Sequence, residues 1–202
     1  MSAPAPEPPG GRPAYASRAV GRWLVRAERT VYASPWVTVG LADVTTPGGR
    51  RVPEHHVVRV PLQAAGALVH DAGADALLLI WRHRFITDSW GLELPAGRCE
   101  PGEAPSEAAS RECEEETGWR PEGLRLLASW HPSNGLIDQT FSVFGAEAAR
   151  KGSRTDHDEA ASVLWLPVAE VERAVDAGEV RDGLTLTGLL AFLRARGVAG
   201  RE

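Results

Sequence analysis

The sequence predicts an α/β (α+β) fold, in which a mixed sheet with helices on two sides follows a small N-terminal antiparallel β extension. Strand-like runs lie both before and after a short helix that begins near Pro105 and ends at Gly118. Further helical patterns follow near the C-terminus, and 43% of the 202 residues are hydrophobic. A sheet bordered by helices in this order can bury both of its faces, and a chain of this length makes one main domain.

The N-terminal part of the chain has two regions of different composition. Residues 1–16 are rich in Pro, Ala and Gly, which predicts a disordered tail, with a Pro-rich docking peptide as the alternative. Residues 17–60 contain β-branched and aromatic runs, and the Pro-Gly-Gly at 47–49 is a hairpin turn signal. We expect residues 17–60 to form the β extension and residues 61–202 to form the larger domain.

The larger domain begins with two predicted strands, 64–69 and 76–82, which the turn at 71–75 joins. The segment 76–81 is continuously apolar, as expected for a strand that is buried on both faces. After the short helix, the pattern predicts further strands at 124–130, 139–146 and 163–166, and helices at 168–177 and from Asp182 or Thr185 onward.

Composition excludes several classes of protein. The net charge of −5 argues against a nucleic-acid partner, which would need a basic face. The sequence has no run of 18 apolar residues and no signal-peptide pattern, so we expect no membrane partner. The two cysteines, Cys99 and Cys113, fit a reducing compartment better than a disulfide framework. Together these features predict a cytoplasmic protein.

The short helix carries three carboxylates on one face, those of Glu112, Glu115 and Glu116. Like charges at this spacing repel one another by roughly 0.2–0.5 kcal/mol per pair on an isolated helix. A solvated acidic stripe is one interpretation, but it does not explain the glycines, Glu103 and Arg111 around it. A site for a hard divalent cation such as Mg²⁺, with Mn²⁺ as the alternative, explains the carboxylates because such ions prefer oxygen ligands.

The segment 97–119 resembles the Nudix box, G-x5-E-x7-R-E-U-x-E-E-x-G-U, where U is apolar. Cys113 and Trp119 occupy the two apolar positions. The fixed positions are Gly97, Glu103, Arg111, Glu112, Glu115, Glu116 and Gly118. The resemblance implies a Nudix α/β/α sandwich over about residues 60–195 and hydrolysis of a nucleoside diphosphate linked to another group.

The resemblance also implies roles for the residues of the box. The metal ligands would be the carboxylates of Glu112, Glu115 and Glu116 and the backbone carbonyl of Ala96. Arg111 would orient a carboxylate, with Glu103 as its structural partner or an outer-sphere metal ligand. A purely structural ion pair between Arg111 and Glu103 is the alternative, and Gly97 and Gly118 would be structural.

The general base stays open between two places in the sequence. Glu115 is the candidate within the box, because some family members use a glutamate there. Other members use an acidic residue on a loop before a late strand, and Asp158 and Glu159 occupy such a position here.

Segments outside the box resemble the ADP-ribose pyrophosphatase subgroup. The resemblance implies phosphate binding by Arg82 or Arg84. An acidic residue near Asp138 would contact substrate, although Gln139 departs from the subgroup's pattern. It also implies a homodimer in which Trp36, aided by Glu93, would stack on the partner's nucleobase. For Trp36 the sequence favours a place in the core over this stacking role.

The leading hypothesis is therefore a Mg²⁺-dependent pyrophosphohydrolase acting on ADP-ribose or a related nucleoside diphosphate sugar. One alternative is a Nudix hydrolase for another small molecule, such as a nucleoside triphosphate or coenzyme A. The other is a catalytically silent domain that senses ADP-ribose, although the intact box carboxylates disfavour it.

Overall fold

The computed structural model describes residues 21–152 and 162–199 in two compact units. The first unit ends at Val58 and the second begins at Arg59. The predicted tail at 1–16 lies outside the described residues, as do Asp158 and Glu159.

The first unit is a three-stranded sheet of β1 (Leu24–Ala33), β2 (Thr38–Thr45) and β3 (Arg51–Arg59), in that order. β1 and β2 run antiparallel, which confirms the predicted antiparallel extension. Trp36 lies in the bend between them and is 63% exposed, so the prediction that it belongs to the core is wrong.

The second unit contains the remaining strands and the helices. In chain order its elements are β4 (Ala64–Asp71), β5 (Ala76–Arg84), β6 (Ser89–Glu93), β7 (Ala96–Arg98), α1 (Pro105–Thr117), β8 (Trp119–Glu122), β9 (Arg125–Trp130), β10 (Phe141–Ala146), β11 (Ala148–Lys151), β12 (Ser162–Pro167), α2 (Val168–Asp176) and α3 (Gly183–Ala199).

Seven of these strands form one mixed sheet in the order β12-β5-β4-β10-β9, with β6 on β5 and β7 on β4. β4 and β10 pair in parallel, and the other pairs are antiparallel. The strands β8 and β11 form a separate pair. The sequence did not predict β6, β7, β8 or β11.

Helices cover both faces of this sheet, as the alternating side chains of β5 show. Leu77 and Leu79 pack in one buried cluster with residues of α2 and α3. Leu78, which points the other way, packs with Ala108, Ala109 and Cys113 of α1. The α/β/α arrangement is thereby confirmed, and α1 is fixed against the sheet by three side chains with no exposed surface.

The prediction that residues 76–81 of β5 are buried on both faces is wrong at Trp81. The strand is buried from Ala76 to Ile80, but Trp81 is 38% exposed. The ring of Trp81 stacks on that of Trp90 from β6, at 5.9 Å between centroids. In the part of the chain that the structure describes, no helix has the length and apolar character needed to cross a membrane.

Candidate active site

The candidate site begins where the backbone of Gly97 passes the side chain of Glu112. A Cβ atom at position 97 would overlap the Glu112 carboxylate. A residue with a Cβ could therefore stand there only if the Glu112 carboxylate moved away. The close approach brings the loop before α1 against the acidic face of the helix.

The ends of α1 are set by the residues that the sequence indicated. Pro105 occupies the first turn, and Gly118 ends the helix with a left-handed φ of 73°. The Glu107 carboxylate accepts a hydrogen bond from the Ala104 amide at 3.0 Å, which satisfies one donor at the N-terminus.

The guanidinium of Arg111 connects the loop to the helix and holds two box carboxylates. It donates to both carboxylate oxygens of Glu103, at 2.9 and 3.0 Å, and to the carbonyl of Arg98 at 2.9 Å. It also donates to Glu112 at 2.8 Å and to Glu115 at 3.0 Å. Arg111 therefore makes the structural ion pair with Glu103, and it also contacts the carboxylates of Glu112 and Glu115. The hydrogen bonds from Arg111 lower the pKa of Glu103 below its ordinary value, and the same bonds raise the pKa of Arg111.

Glu116 is buried and is held by two partners. Its carboxylate pairs with the guanidinium of Arg82, whose side chain is only 2% exposed. The other carboxylate oxygen accepts a hydrogen bond from the Ala96 amide at 2.9 Å. Burial raises the pKa of Glu116 to about 7, although the charge of Arg82 opposes that shift. Arg82 thus neutralises a buried carboxylate instead of presenting its charge to solvent.

Arg84 offers the guanidinium that solvent can reach. Its side chain is 49% exposed, and it donates to both oxygens of the buried Glu93 carboxylate at 2.6 to 3.1 Å. The hydrogen bonds to Glu93 raise the pKa of Arg84, and the charges of Asp182 and Glu116 add to that shift. Of the two arginines predicted to bind phosphate, the geometry favours Arg84.

Two residues that the sequence did not assign to the site, Thr185 and Asp182, form a hydrogen-bonded chain that ends at the Leu94 backbone, just before the box loop. Thr185 accepts a hydrogen bond from the Leu94 amide at 2.9 Å and donates to Asp182 at 2.7 Å. An Asp three positions before Thr at the start of a helical pattern is a capping signal. Nothing in the sequence pairs Thr185 with Leu94, which lies 91 residues away.

Other predicted site residues lie in different surroundings. The Asp138 carboxylate accepts hydrogen bonds from the Val60 amide at 2.9 Å and from Arg59 at 3.3 Å. Gln139 donates to the Leu62 carbonyl at 3.0 Å. These contacts anchor the chain that leads into β4. Trp36 belongs to the first unit.

The donor set of α1 fits a hard divalent cation in its chemistry. Glu112, Glu115 and Glu116 offer carboxylate oxygens, and the Gly97 backbone leaves no side chain between the loop and Glu112. In the described part of the chain, no three acidic, His or Cys side chains are arranged as a ready metal cage. Arginines hold the carboxylates in the present arrangement. A cation would therefore compete with Arg111 and Arg82 for these oxygens.

Comparison with known proteins identifies the family. The family model described as NUDIX domain matches residues 60–185, which include the box, α1 and the Leu94–Thr185 contact. The chain belongs to the Nudix family. With its box residues intact, it is a Nudix hydrolase.

Curated relatives of this Nudix hydrolase carry two kinds of name. A protein of Streptomyces rubellomurinus, named CMP-5'-(N-acetyl-N-hydroxy-3-aminopropyl)phosphonate hydrolase, is 40% identical over 85% of this chain and 82% of its own length. An ADP-ribose pyrophosphatase of Mycobacterium tuberculosis is 32% identical, over 74% of this chain and 72% of that protein. An ADP-ribose pyrophosphatase of Bacillus subtilis is 28% identical, over 79% of this chain and 86% of that protein.

A solved structure titled ADP compounds hydrolase has the same fold. It superposes with a TM-score of 0.75 and covers 92% of this chain and all of that chain, at 21% identity. At this level of identity the similarity concerns the fold alone.

Proposed function

We propose that this Nudix hydrolase cleaves the P–O–P linkage of ADP-ribose or a related nucleoside diphosphate sugar, with Mg²⁺ as cofactor and Mn²⁺ as the alternative. The observation that carries the proposal is that the half-exposed Arg84 guanidinium lies near enough to Glu116 of α1 for the charge of that carboxylate to act on it. Such a site combines carboxylates for a cation with a planar donor for a phosphate. The ADP-ribose pyrophosphatase names of two relatives support the choice of substrate.

In the proposed reaction, water attacks one phosphorus atom and the bond from that phosphorus to the bridging oxygen breaks. Arg84, aligned by Glu93, binds the diphosphate. Glu112, Glu115, Glu116 and the Ala96 carbonyl would hold the cation, which neutralises charge on the phosphoryl oxygens when bound.

The proton lost by the attacking water needs a carboxylate to accept it. Among Glu112, Glu115 and Glu116, Glu115 is the most exposed, at 31% of its side chain, and is therefore the one that water reaches most easily. Asp158 and Glu159 remain the candidates on the loop outside the described residues. Asp138, if it contacts substrate, would first have to release Arg59 and the Val60 amide.

A second candidate substrate joins CMP to an organic phosphonate. The relative with that name is 40% identical to this chain over the aligned residues, against 32% and 28% for the two ADP-ribose pyrophosphatases. Both substrate types place a nucleoside 5'-phosphoryl group on one side of the linkage that breaks. The same carboxylates and Arg84 would serve either one, so the nucleoside and the leaving group must be distinguished elsewhere.

The 17–60 extension is proposed to make the protein a cytoplasmic homodimer. All ten residues of β1 are exposed, among them Leu24, Val25, Val31 and Tyr32. Exposed apolar side chains on an edge strand of a small sheet are a surface that a partner can cover. In such a dimer the exposed Trp36 is available to stack on the partner's nucleobase.

A substrate panel tests the proposed function. The purified protein is incubated with ADP-ribose, other nucleoside diphosphate sugars, a CMP-linked phosphonate, a nucleoside triphosphate and coenzyme A, with Mg²⁺ or with a chelator. We expect Mg²⁺-dependent release of AMP and ribose 5-phosphate from ADP-ribose. Preferential release of CMP would establish the second candidate. Tight binding of ADP-ribose without turnover of any compound would instead indicate a silent sensor and contradict the proposal.

A further inference from the structure

At the start of α3, Asp182 makes one more hydrogen bond to Thr185 than a helix cap requires. Asp182 precedes the helix, and its Oδ2 accepts from the Thr185 amide at 2.7 Å, which is the ordinary capping bond. The same oxygen also accepts from the Thr185 hydroxyl at 2.7 Å. Thr185 has no exposed surface, so this hydroxyl must be satisfied within the protein.

The Thr185 hydroxyl donates to Asp182 and accepts from a second partner, the Leu94 amide. A hydroxyl has a single proton, and here that proton goes to the Asp182 carboxylate. The oxygen lone pairs remain to accept the Leu94 amide proton, at 2.9 Å. Asp182 therefore orients the hydroxyl, and the hydroxyl holds the Leu94 backbone.

The backbone next to Leu94 is held at further points by close packing. The Pro95 carbonyl accepts a hydrogen bond from the Ala67 amide at 3.0 Å. A Cβ on Gly188 of α3 would lie 2.9 Å from the Leu94 side chain. A Cβ on Gly66 of β4 would lie 2.9 Å from the Ala96 Cβ. Both distances are too short for an ordinary contact, so α3 and β4 lie directly against this stretch.

This stretch carries two groups of the site already described. Glu93, the residue before Leu94, aligns Arg84 with two carboxylate oxygens. Ala96, two residues after Leu94, donates its amide to Glu116. A shift of the Leu94 amide therefore moves the partner of Arg84 and the partner of Glu116 together.

We propose that Thr185, oriented by Asp182, is a positioning residue for the hydrolysis reaction. It fixes the 93–96 backbone so that Arg84 keeps its orientation toward the substrate and Glu116 keeps its place beside α1. The catalytic part of this inference rests on the proposed function.

The experiment compares variants with and without the Thr185 hydroxyl. Thr185→Val removes the hydroxyl at nearly constant volume, and Thr185→Ser keeps the hydroxyl and loses a methyl group. Thr187→Val is the control, because the Thr187 hydroxyl donates to the Gly183 carbonyl within α3. Kinetics are measured on the best substrate of the wild-type enzyme, and amide hydrogen exchange is followed at Leu94 by NMR.

For Thr185→Val we expect several-fold faster exchange at Leu94 and a rise in KM of about 10-fold, in line with the loss of an outer-shell contact. Thr185→Ser should restore both values, and Thr187→Val should change neither. A role in stability alone would lower the folded fraction and the apparent kcat while KM stayed constant.

Three outcomes would overturn the inference. An unchanged KM in Thr185→Val, or unchanged exchange at Leu94, contradicts positioning while the proposed function stands. A wild-type protein that turns over no compound of the panel contradicts the proposed function, and this inference with it.

Discussion

At the scale of single residues, the site depends on how a few charges are paired. Arg111 pairs with Glu112 and Glu115, and Arg82 pairs with Glu116. The box spacing predicted the grouping of these carboxylates and the contact between Arg111 and Glu103. The box spacing could not predict that Arg82 is buried against Glu116 while Arg84 is half exposed. The exposure of these two side chains depends on which other elements pack against the end of β5.

Gly97→Ala tests the close approach of the loop to α1. The added Cβ must displace the Glu112 carboxylate, which is the mobile end of a side chain, so the fold should tolerate the change. We expect the midpoint of urea unfolding to move little while kcat/KM falls by roughly 10- to 100-fold.

The matched control for this variant is Gly91→Ala, where an added Cβ meets nothing within 4 Å. Its kcat/KM should equal that of the wild-type enzyme. Equal activity of Gly97→Ala and Gly91→Ala would mean that the position of Glu112 does not matter.

At the scale of elements, α1 was the most predictable part of the chain. Pro105 and Gly118 marked its ends, and the structure places both there. The start of α3 stayed open between Asp182 and Thr185, because both are good caps; the helix begins at Gly183. The strands β6, β7, β8 and β11 have three to five residues each, which is too short for a periodic pattern.

Gly118→Ala tests the end of α1. The position has φ of 73°, where a residue with a Cβ is disfavoured, so we expect the free energy of unfolding to fall by about 1–2 kcal/mol. The measurement is urea unfolding followed by circular dichroism. Gly183→Ala is the control, since an added Cβ there meets nothing within 4 Å; a loss of similar size in both variants would show that the left-handed conformation is not the cause.

At the scale of the whole molecule, the sequence predicted the layers but not the order of the strands. A sheet with helices on two sides followed from the succession of elements. The parallel pairing of β4 with β10 joins segments that are far apart in the chain, and the order β12-β5-β4-β10-β9 has no local signal. The exposed β1 strand likewise belongs to this scale, because a second molecule would cover it in the proposed dimer.

Sedimentation equilibrium tests the proposed homodimer. The wild-type protein should have twice the chain mass of 21.7 kDa. Val31→Asp places a charge on the exposed β1 strand and should shift the protein toward monomer, because burying an unpaired carboxylate is costly. Leu126→Asp, at a similarly exposed apolar position of β9, should leave the mass unchanged. A wild-type monomer at micromolar concentration would contradict the dimer.

The most direct test of the central claim is the rate at which the diphosphate is cleaved, followed by ³¹P NMR during a Mg²⁺ titration. The wild-type enzyme should convert the two diphosphate signals of ADP-ribose, or those of a CMP-linked phosphonate, into separate product signals, and a chelator should stop the reaction. Glu112→Gln should be slower by at least about 100-fold, since even outer-shell partners of a metal site are worth 10- to 100-fold. Glu107→Gln, on the same helix, should match the wild type. Undiminished cleavage by Glu112→Gln, or cleavage that does not depend on a divalent cation, would contradict the account.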